Sequence, residues 1–151
     1  MLPSERLAEL GIELPQTAAP LGAYVPAKVV GNQGLTSGQL PVQLDGSIII
    51  GRLGETLATA EGADAARVAC LRALSALVSV AGHIDELRSV VRLTVYVNSA
   101  PDYTEQALVA NGASELLHQV FGDAGRHVRS AVGVAALPAD AAVEVELVVE
   151  V

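Results

Sequence analysis

The last 26 residues, 126–151, constrain the fold of this chain more than any other stretch. From position 143 onward the side chains alternate, with Val143, Val145, Leu147 and Val149 on one side and Glu144, Glu146, Val148 and Glu150 on the other. Alternation with a period of two is typical of a strand that buries one face. We therefore predict two strands, at 130–136 and 142–151. Pro138 and Asp140 favour a turn between them, because Pro fixes φ and Asp can bond its own local backbone.

Hydrophobic periodicity predicts two long helices and one short helix. Apolar residues at helical spacing predict a helix from 59 or 64 to 81 and a second from 103 to 121. The second helix has Asp102 as its expected N-cap, with Glu105 completing a capping box. The short helix is expected at 4–10, where Ser4 would be the N-cap and Gly11 the C′ residue.

Turn residues and apolar runs predict the remaining strands. A hairpin is expected at 27–30 and 33–37, because Gly31-Asn32 is a two-residue hairpin signal. A short apolar strand at 47–50 follows a turn at Asp45-Gly46, and the longest middle strand covers 89–98. The element order is thus β-β-β-α-β-α-β-β, which predicts an α+β fold with a mixed sheet and two helices on one face.

The two faces of the predicted sheet differ in character. We expect the helices to cover the face that carries Val91, Leu93, Val95 and Val97 in the middle strand, and the opposite face to carry Val90, Arg92, Thr94, Tyr96 and Asn98. That opposite face mixes apolar side chains with charged ones. Leaving it bare would expose an apolar patch. We therefore expect a homo-oligomer in which copies of this face meet and sites form at the subunit seams.

Composition disfavours several classes of function. Seventeen acidic residues against nine basic ones give a net charge of -8, whereas phosphate binding needs clustered Lys and Arg, so we expect no nucleic-acid partner. No apolar run reaches the roughly 18 residues that a membrane span needs, so no membrane role is expected. The N-terminus lacks the pattern of a secretory signal, and the one cysteine cannot form an internal disulfide. These features predict a cytoplasmic protein.

Most reactive side chains predict no site of their own. Cys70 lies in the apolar stripe of a helix and is expected to be a core thiol. The three histidines show no metal-ligand spacing, so we expect no metal and no cofactor. Ser37 has no identifiable base partner, so we do not expect it to be a nucleophile. His127, two residues before Arg129, could touch a cleft. Arg129, at the start of a strand, could either pair structurally with Glu144 or Glu146, or bind a ligand.

Two motifs carry a family resemblance. The segments Thr36-Ser37-Gly38-Gln39-Leu40-Pro41 and Arg129-Ser130-x-Val132-x-Val134-x-x-Leu137-Pro138, the latter followed by Val143-Glu144-Val145-Glu146, resemble the Rid (YjgF-type) family. Its members are enamine/imine deaminases and relatives, also described as L-PSP endoribonucleases. The similarity runs from about 24 to 151 within a domain spanning 1–151. It implies a chorismate-mutase-like sandwich that forms homotrimers with clefts between subunits.

The chain also departs from the family pattern. The family helix begins after an Asp-Phe pair and carries an asparagine near its first turn, whereas here Asp102-Tyr103 precedes Asn111 by several residues. The segment 1–23 forms an additional N-terminal helix and loop. These departures indicate a divergent branch.

The resemblance implies roles for four residues. Arg129 would clamp the substrate carboxylate and Glu144 would place the hydrolytic water. Tyr24, from a neighbouring subunit, and Gly38 would line the substrate site. On residue patterns alone, Tyr24 could equally cover the core, Gly38 could serve backbone geometry, and Glu144 could be a solvated or interface carboxylate.

The implied function is hydrolysis of reactive 2-imino or 2-enamino acids to 2-keto acids and ammonia without a cofactor. Orientation by a bidentate arginine and placement of water would suffice for so reactive a substrate. The alternative is a trimeric protein that binds small carboxylates without efficient catalysis. A ribonuclease is the weakest hypothesis, because the acidic surface and the scarcity of aromatic residues oppose RNA binding.

Overall fold

The structure, a computed structural model, describes residues 1–17, 19–20 and 22–151. Among these residues the chain forms three α-helices and five strands, namely α1 Pro3–Leu10, β1 Ala27–Val30, β2 Gln33–Thr36, α2 Thr59–Ala81, β3 Ser89–Asn98, α3 Gln106–Phe121, β4 Val128–Val134 and β5 Val143–Glu150. The hairpin, the long helix α2 and the middle strand β3 confirm the sequence-based predictions closely. No helix among the described residues is long and apolar enough to cross a membrane.

The five strands form one mixed sheet in the order β1-β2-β5-β3-β4. β5 lies antiparallel between β2 and β3, whereas β4 runs parallel to β3 at the edge of the sheet. Helices α2 and α3 contact each other and pack on one face, which we call the helix face. The opposite, uncovered face is the bare face. The prediction of two helices on one face is therefore confirmed.

The core lies between the sheet and the helices. Leu93, Val95 and Val97 of β3 are fully buried there, together with the inward-facing residues of β5, Val143, Val145, Leu147 and Val149. Helix α1 packs against α3 and the turn Ile84–Glu86 rather than on the sheet. The alternation that predicted β5 thus predicted its buried face as well.

The predicted strand at 47–50 is wrong. Ile48 and Ile50 each form only an isolated bridge, with Val42 and Ala141 respectively. Between them, the Ile49 amide donates to the Pro41 carbonyl and the Ile49 carbonyl accepts from the Ala142 amide. Backbone partners on two different segments hold this run, so it has no continuous neighbour with which to form a ladder.

The predicted faces of β3 are wrong at its beginning. A bulge between Val90 and Arg92 shifts the pairing with β5. An extra residue in one strand reverses the alternation on one side of the bulge. Val90 is therefore buried in the core, and Val91, which we expected there, is exposed. Asn98, at the other end of β3, is also fully buried instead of lying on an open face.

Two predicted helix caps are wrong. Leu2, not Ser4, is the N-cap of α1, and the Ser4 amide and hydroxyl instead donate to the Asp85 carboxylate at 2.8 and 2.7 Å. Helix α3 begins at Gln106 and has no Asp102 capping box. The Glu105 carboxylate instead accepts a hydrogen bond from Thr59 at 2.8 Å. In both cases a side chain that was expected to cap its own helix contacts another element instead. The glycine at position 11 does end α1 in a left-handed conformation, as predicted.

Candidate functional site

Arg129 lies inside β4, because this strand begins two residues earlier than predicted. It pairs in register with Leu93, whose side chain is buried on the helix face. Paired residues on neighbouring strands point to the same face. The Arg129 side chain is accordingly directed along the helix face and onto α3.

Three acceptors on α3 hold the Arg129 guanidinium. Nη1 donates to Asn111 Oδ1 at 2.8 Å and to Ser114 Oγ at 3.2 Å, and Nη2 donates to the Ala107 carbonyl at 3.2 Å. All three acceptors are neutral, and in the part of the chain that the structure describes no carboxylate pairs with this arginine. We call Arg129, Asn111, Ser114 and the Ala107 carbonyl the Arg129 half-site. It fixes the side chain without neutralising its charge.

Ser114 connects Arg129 to a histidine. The Ser114 hydroxyl lies 2.9 Å from His127 Nε2, and His127 Nδ1 lies 2.6 Å from the Gly125 carbonyl. A carbonyl only accepts, so Nδ1 carries the proton in the neutral ring and Nε2 accepts from Ser114. Burial lowers the pKa of His127, and the neighbouring His118 and Arg129 lower it further. The neutral ring thus leaves the lone pairs of the Ser114 oxygen facing Arg129.

The second part of the predicted site surrounds Glu144. This residue pairs with Tyr96 on β3 and therefore points to the bare face. Tyr24, Gly38 and Glu144 together line a cavity of about 230 Å³. Tyr24 is half exposed and is absent from the core, so of its two predicted positions the structure favours the cavity wall. We call these three residues, with the cavity, the Glu144 half-site.

Gly38 allows the cavity to exist in this form. Its neighbour Gln39 exchanges two backbone hydrogen bonds with Val145, at 2.7 and 2.9 Å, which lays the Gly38 segment against β5. A Cβ atom at position 38 would overlap the Glu144 carboxylate. Glycine therefore permits the close approach of the carboxylate, which any larger residue would displace.

The Glu144 carboxyl group is held differently from Glu146. Burial raises the pKa of Glu144, and the neighbouring Glu146 carboxylate raises it further. Glu146 accepts a hydrogen bond from the Tyr96 hydroxyl at 2.9 Å. Among the described residues, Glu144 has no such donor. A carboxyl group in this setting retains a proton to a higher pH than an exposed one does.

The structure corrects one prediction about the site. Of the two alternatives for Arg129, structural pairing with Glu144 or Glu146 does not occur within a protomer, because Arg129 occupies the helix face and both glutamates occupy the bare face. One protomer therefore presents two separate half-sites. Sequence reasoning also missed Ser114 as a partner of Arg129. Ala107, Asn111 and Ser114 stand at the i, i+4, i+7 spacing of one helix face, which was the available signal.

No group of three or more metal-binding side chains occurs among residues 1–17, 19–20 and 22–151. Cys70 is fully buried, and this burial raises its pKa to about 12, in agreement with the predicted core thiol. The candidate site therefore consists of the two half-sites.

An open mixed sheet with two helices on one face, together with the Arg129 and Glu144 motifs, defines the class of protein. Residues 4–151 match the family described as "YjgF/chorismate_mutase-like, putative endoribonuclease", and the chain belongs to that family. Its relatives include protein TCP17 of Trypanosoma cruzi, which is 49% identical over 145 residues, 95% of this chain and 91% of that protein.

Solved structures agree with this assignment. A Shewanella oneidensis crystal structure described as a "putative endoribonuclease" is 36% identical, covers 100% of both chains and superposes with a TM-score of 0.95. Escherichia coli TdcF, crystallised with bound serine, is 25% identical and has a TM-score of 0.65, with 91% of this chain and 94% of that chain covered.

Proposed function

We propose that this protein hydrolyses reactive 2-imino or 2-enamino acids to 2-keto acids and ammonia. The observation that carries the proposal is the Arg129 half-site, in which a guanidinium is fixed by three neutral acceptors and keeps its full charge. A planar guanidinium suits a carboxylate because two parallel N–H groups can donate to its two oxygens. Relatives support a small ligand, since TdcF binds serine, which bears such a carboxylate.

The two half-sites would act together across a subunit seam. Within one protomer they lie on opposite faces of the sheet, so a shared substrate requires Arg129 from one subunit and Glu144 from another. β4 is an edge strand, so a neighbour can approach it. Exposed apolar side chains on the bare face, Leu35, Val128 and Val132, support burial against copies of the chain. We propose a homotrimer with one such seam between each pair of neighbours.

The chemistry needs orientation and proton transfer. Arg129 would hold the carboxylate, so that C2 of the imine faces Glu144 and Tyr24 of the other subunit. Glu144, protonated more readily than an exposed glutamate, would donate to the imine nitrogen and then accept a proton from the attacking water. Water adds to C2, and Glu144 passes the proton it took from water to the amine nitrogen. The C2–N bond then breaks, nitrogen leaves as ammonia, and the C2 hydroxyl returns its proton to Glu144 as C2 becomes a carbonyl. The buried free thiol of Cys70 supports a cytoplasmic setting for this reaction.

The test is a deamination assay in which 2-aminoacrylate is generated in the solution and pyruvate release is followed. We expect wild-type protein to accelerate release, and Arg129→Ala to lower the acceleration about 100-fold or more, since hydrogen bonds to charged groups contribute roughly 1.5–3 kcal/mol each. Arg126→Ala is the matched control. Arg126 lies three residues away and is 81% exposed, and its only ion pair is to Asp123 among the described residues. Equal rates for buffer and wild-type protein would contradict the proposal.

Binding without efficient catalysis is the second candidate function. The Arg129 half-site alone favours it, because a fixed cation binds carboxylates whether or not Glu144 transfers protons. In that case calorimetry would show Arg129-dependent binding of pyruvate while the deamination assay stayed at the buffer rate. The ribonuclease activity suggested by the family description is tested in parallel with an RNA substrate. The net charge of -8 argues against it.

A further inference from the structure

A second arginine lies in the wall of the Glu144 cavity. Arg72, on α2, lines this cavity together with Leu40 and Val42. Arg72 was not among the predicted site residues. Its position matters because the cavity otherwise has one ionisable carboxyl group, one tyrosine and mostly apolar walls, among them Pro20, Pro26, Leu40, Val42 and Pro138.

The charge of Arg72 is not neutralised. Nε donates to the Val42 carbonyl at 2.8 Å, Nη1 to the Gln16 carbonyl at 2.9 Å and Nη2 to the Gln43 carbonyl at 2.9 Å. These bonds use three of the five N–H groups of a guanidinium. Glu13 and Asp45 line a neighbouring cavity with Arg72, but among the described residues no carboxylate oxygen lies within 4.0 Å of its guanidinium.

Arg72 and Glu144 do not form an ion pair either. A cation within about 4–6 Å of a carboxylate lowers the pKa of the carboxylate. The pKa of Glu144 is instead raised, by burial and by Glu146. Both side chains line the same cavity, and among the described residues they form no ion pair within 4.0 Å.

We infer that Arg72 determines substrate specificity by binding a second anionic group, so that the preferred substrates are 2-imino acids that carry a distal carboxylate. This inference rests on the proposed function, in which Arg129 of the neighbouring subunit binds the carboxylate beside C2. The distal carboxylate then extends along the apolar wall to the two N–H groups that Arg72 leaves free. The cavity, at about 230 Å³, is smaller than the roughly 300–1,000 Å³ that drug-sized ligands occupy, which suits a short dicarboxylic acid.

A purely structural role for Arg72 makes a different prediction. Its three carbonyl partners belong to the segments near 16 and 42–43, so the side chain also ties these segments to α2. Other contacts share this task, since the Ser75 hydroxyl donates to the Pro15 carbonyl and the Thr17 hydroxyl donates to the Ser75 carbonyl at 3.0 Å. A structural role would affect all ligands alike, whereas a charge role affects only ligands with a distal anion.

The experiment compares two product-like acids of equal chain length by calorimetry on the full chain. 2-Oxoglutarate carries a distal carboxylate and 2-oxopentanoate lacks it. We expect wild-type protein to bind 2-oxoglutarate about 10-fold or more tightly than 2-oxopentanoate. Arg72→Gln should bind the two acids equally, and Arg72→Lys should keep much of the preference for 2-oxoglutarate. Arg129→Ala should weaken the binding of both acids.

The outcomes separate this inference from the proposed function. Arg129-dependent binding of both acids with no preference in the wild type would overturn the role of Arg72 and leave the proposed function intact. Absence of binding together with absence of deamination would overturn both. Should Arg72→Gln not fold by circular dichroism, the wild-type preference and its retention in Arg72→Lys decide the question. Equal weakening of both acids in a folded Arg72 variant, with the preference for 2-oxoglutarate kept, would indicate a structural role and overturn the inference.

Discussion

The Arg129 half-site and the Glu144 half-site differ in the hydrogen bonding of their central ionisable groups. Arg129 makes three hydrogen bonds to one helix and is fixed before any ligand arrives. Glu144 has no hydrogen-bond donor among the described residues, and the carboxylate of Glu146 is its neighbour. A fixed cation can orient a ligand, and a carboxyl group with a raised pKa can exchange protons. Each half-site thus lacks what the other provides, which is the reason to propose that they meet.

Mixing two inactive variants gives the sharpest test of this division. If each active cleft takes Arg129 from one subunit and Glu144 from another, Arg129→Ala and Glu144→Gln proteins should restore activity when refolded together. In a random equal mixture, about one cleft in four receives both intact residues, so about a quarter of the wild-type rate is expected.

The control for this experiment is a mixture in which both partners carry Arg129→Ala, which should stay inactive. A mixed sample of the two different variants that also stayed inactive, although it formed mixed oligomers, would show that the half-sites do not share a cleft.

Glu144→Gln alone should give the next largest effect. We expect the deamination rate to fall roughly 10²–10³-fold, as is typical when a general acid–base group is removed. Because the pKa of Glu144 is raised, the protonated form persists above the ordinary pKa. Any activity that depends on that form declines as pH rises through the raised pKa, and the decline should vanish in Glu144→Gln. An unchanged pH–rate profile in the variant would assign the proton transfer to another group.

The same pKa shift predicts a change in stability. A carboxyl group whose pKa is raised by folding supports the folded state below its unfolded pKa, and this support is lost as pH rises through the folded pKa. Glu144→Gln should therefore raise the melting temperature at neutral pH and leave it nearly unchanged near pH 4. Tyr96→Phe is a useful comparison, since it removes the hydrogen bond to Glu146 and leaves the Glu144 carboxyl group in place.

The separation of the half-sites could not be predicted from the sequence. Alternation in β5 predicted its buried valines, and it also placed Glu144 on the opposite face. The face of Arg129, however, depends on its register with Leu93 in a neighbouring strand, which one strand's pattern does not determine. Likewise, the bulge at Val90–Arg92 reversed the faces at the beginning of β3 without any glycine or proline to signal it. Periodicity predicts which residues of one strand lie on the same face. The register between strands decides which residues of a neighbouring strand lie on that face with them.

Gly38→Ala should impair the Glu144 half-site and spare the Arg129 half-site. The added methyl group would overlap the Glu144 carboxylate, so the carboxylate must move or the Gly38 segment must separate from β5. Because the overlapping atoms are the end of a flexible side chain, we expect little loss of stability but a fall in the deamination rate. Gly46→Ala, in an exposed turn with no atoms near the new methyl group but with a left-handed backbone, controls for conformational strain. An active Gly38→Ala protein would show that the carboxylate need not approach so closely.

Ser114→Ala should give the smallest effect, and it tests how rigidly Arg129 must be held. The substitution removes one of three acceptors from the guanidinium, while Asn111 and the Ala107 carbonyl remain. A hydrogen bond of this kind contributes about 1 kcal/mol, so we expect roughly a 3–10-fold rise in the dissociation constant for pyruvate. Glu115→Gln is the matched control, because Glu115 is exposed and follows Ser114 directly in α3. The Ser114 substitution also leaves His127 Nε2 without its donor. If Ser114 acts only through Arg129, then Arg129→Ala and the double variant with Ser114→Ala should bind pyruvate equally weakly. An additional loss in the double variant would instead indicate that Ser114 supports α3 independently of the arginine.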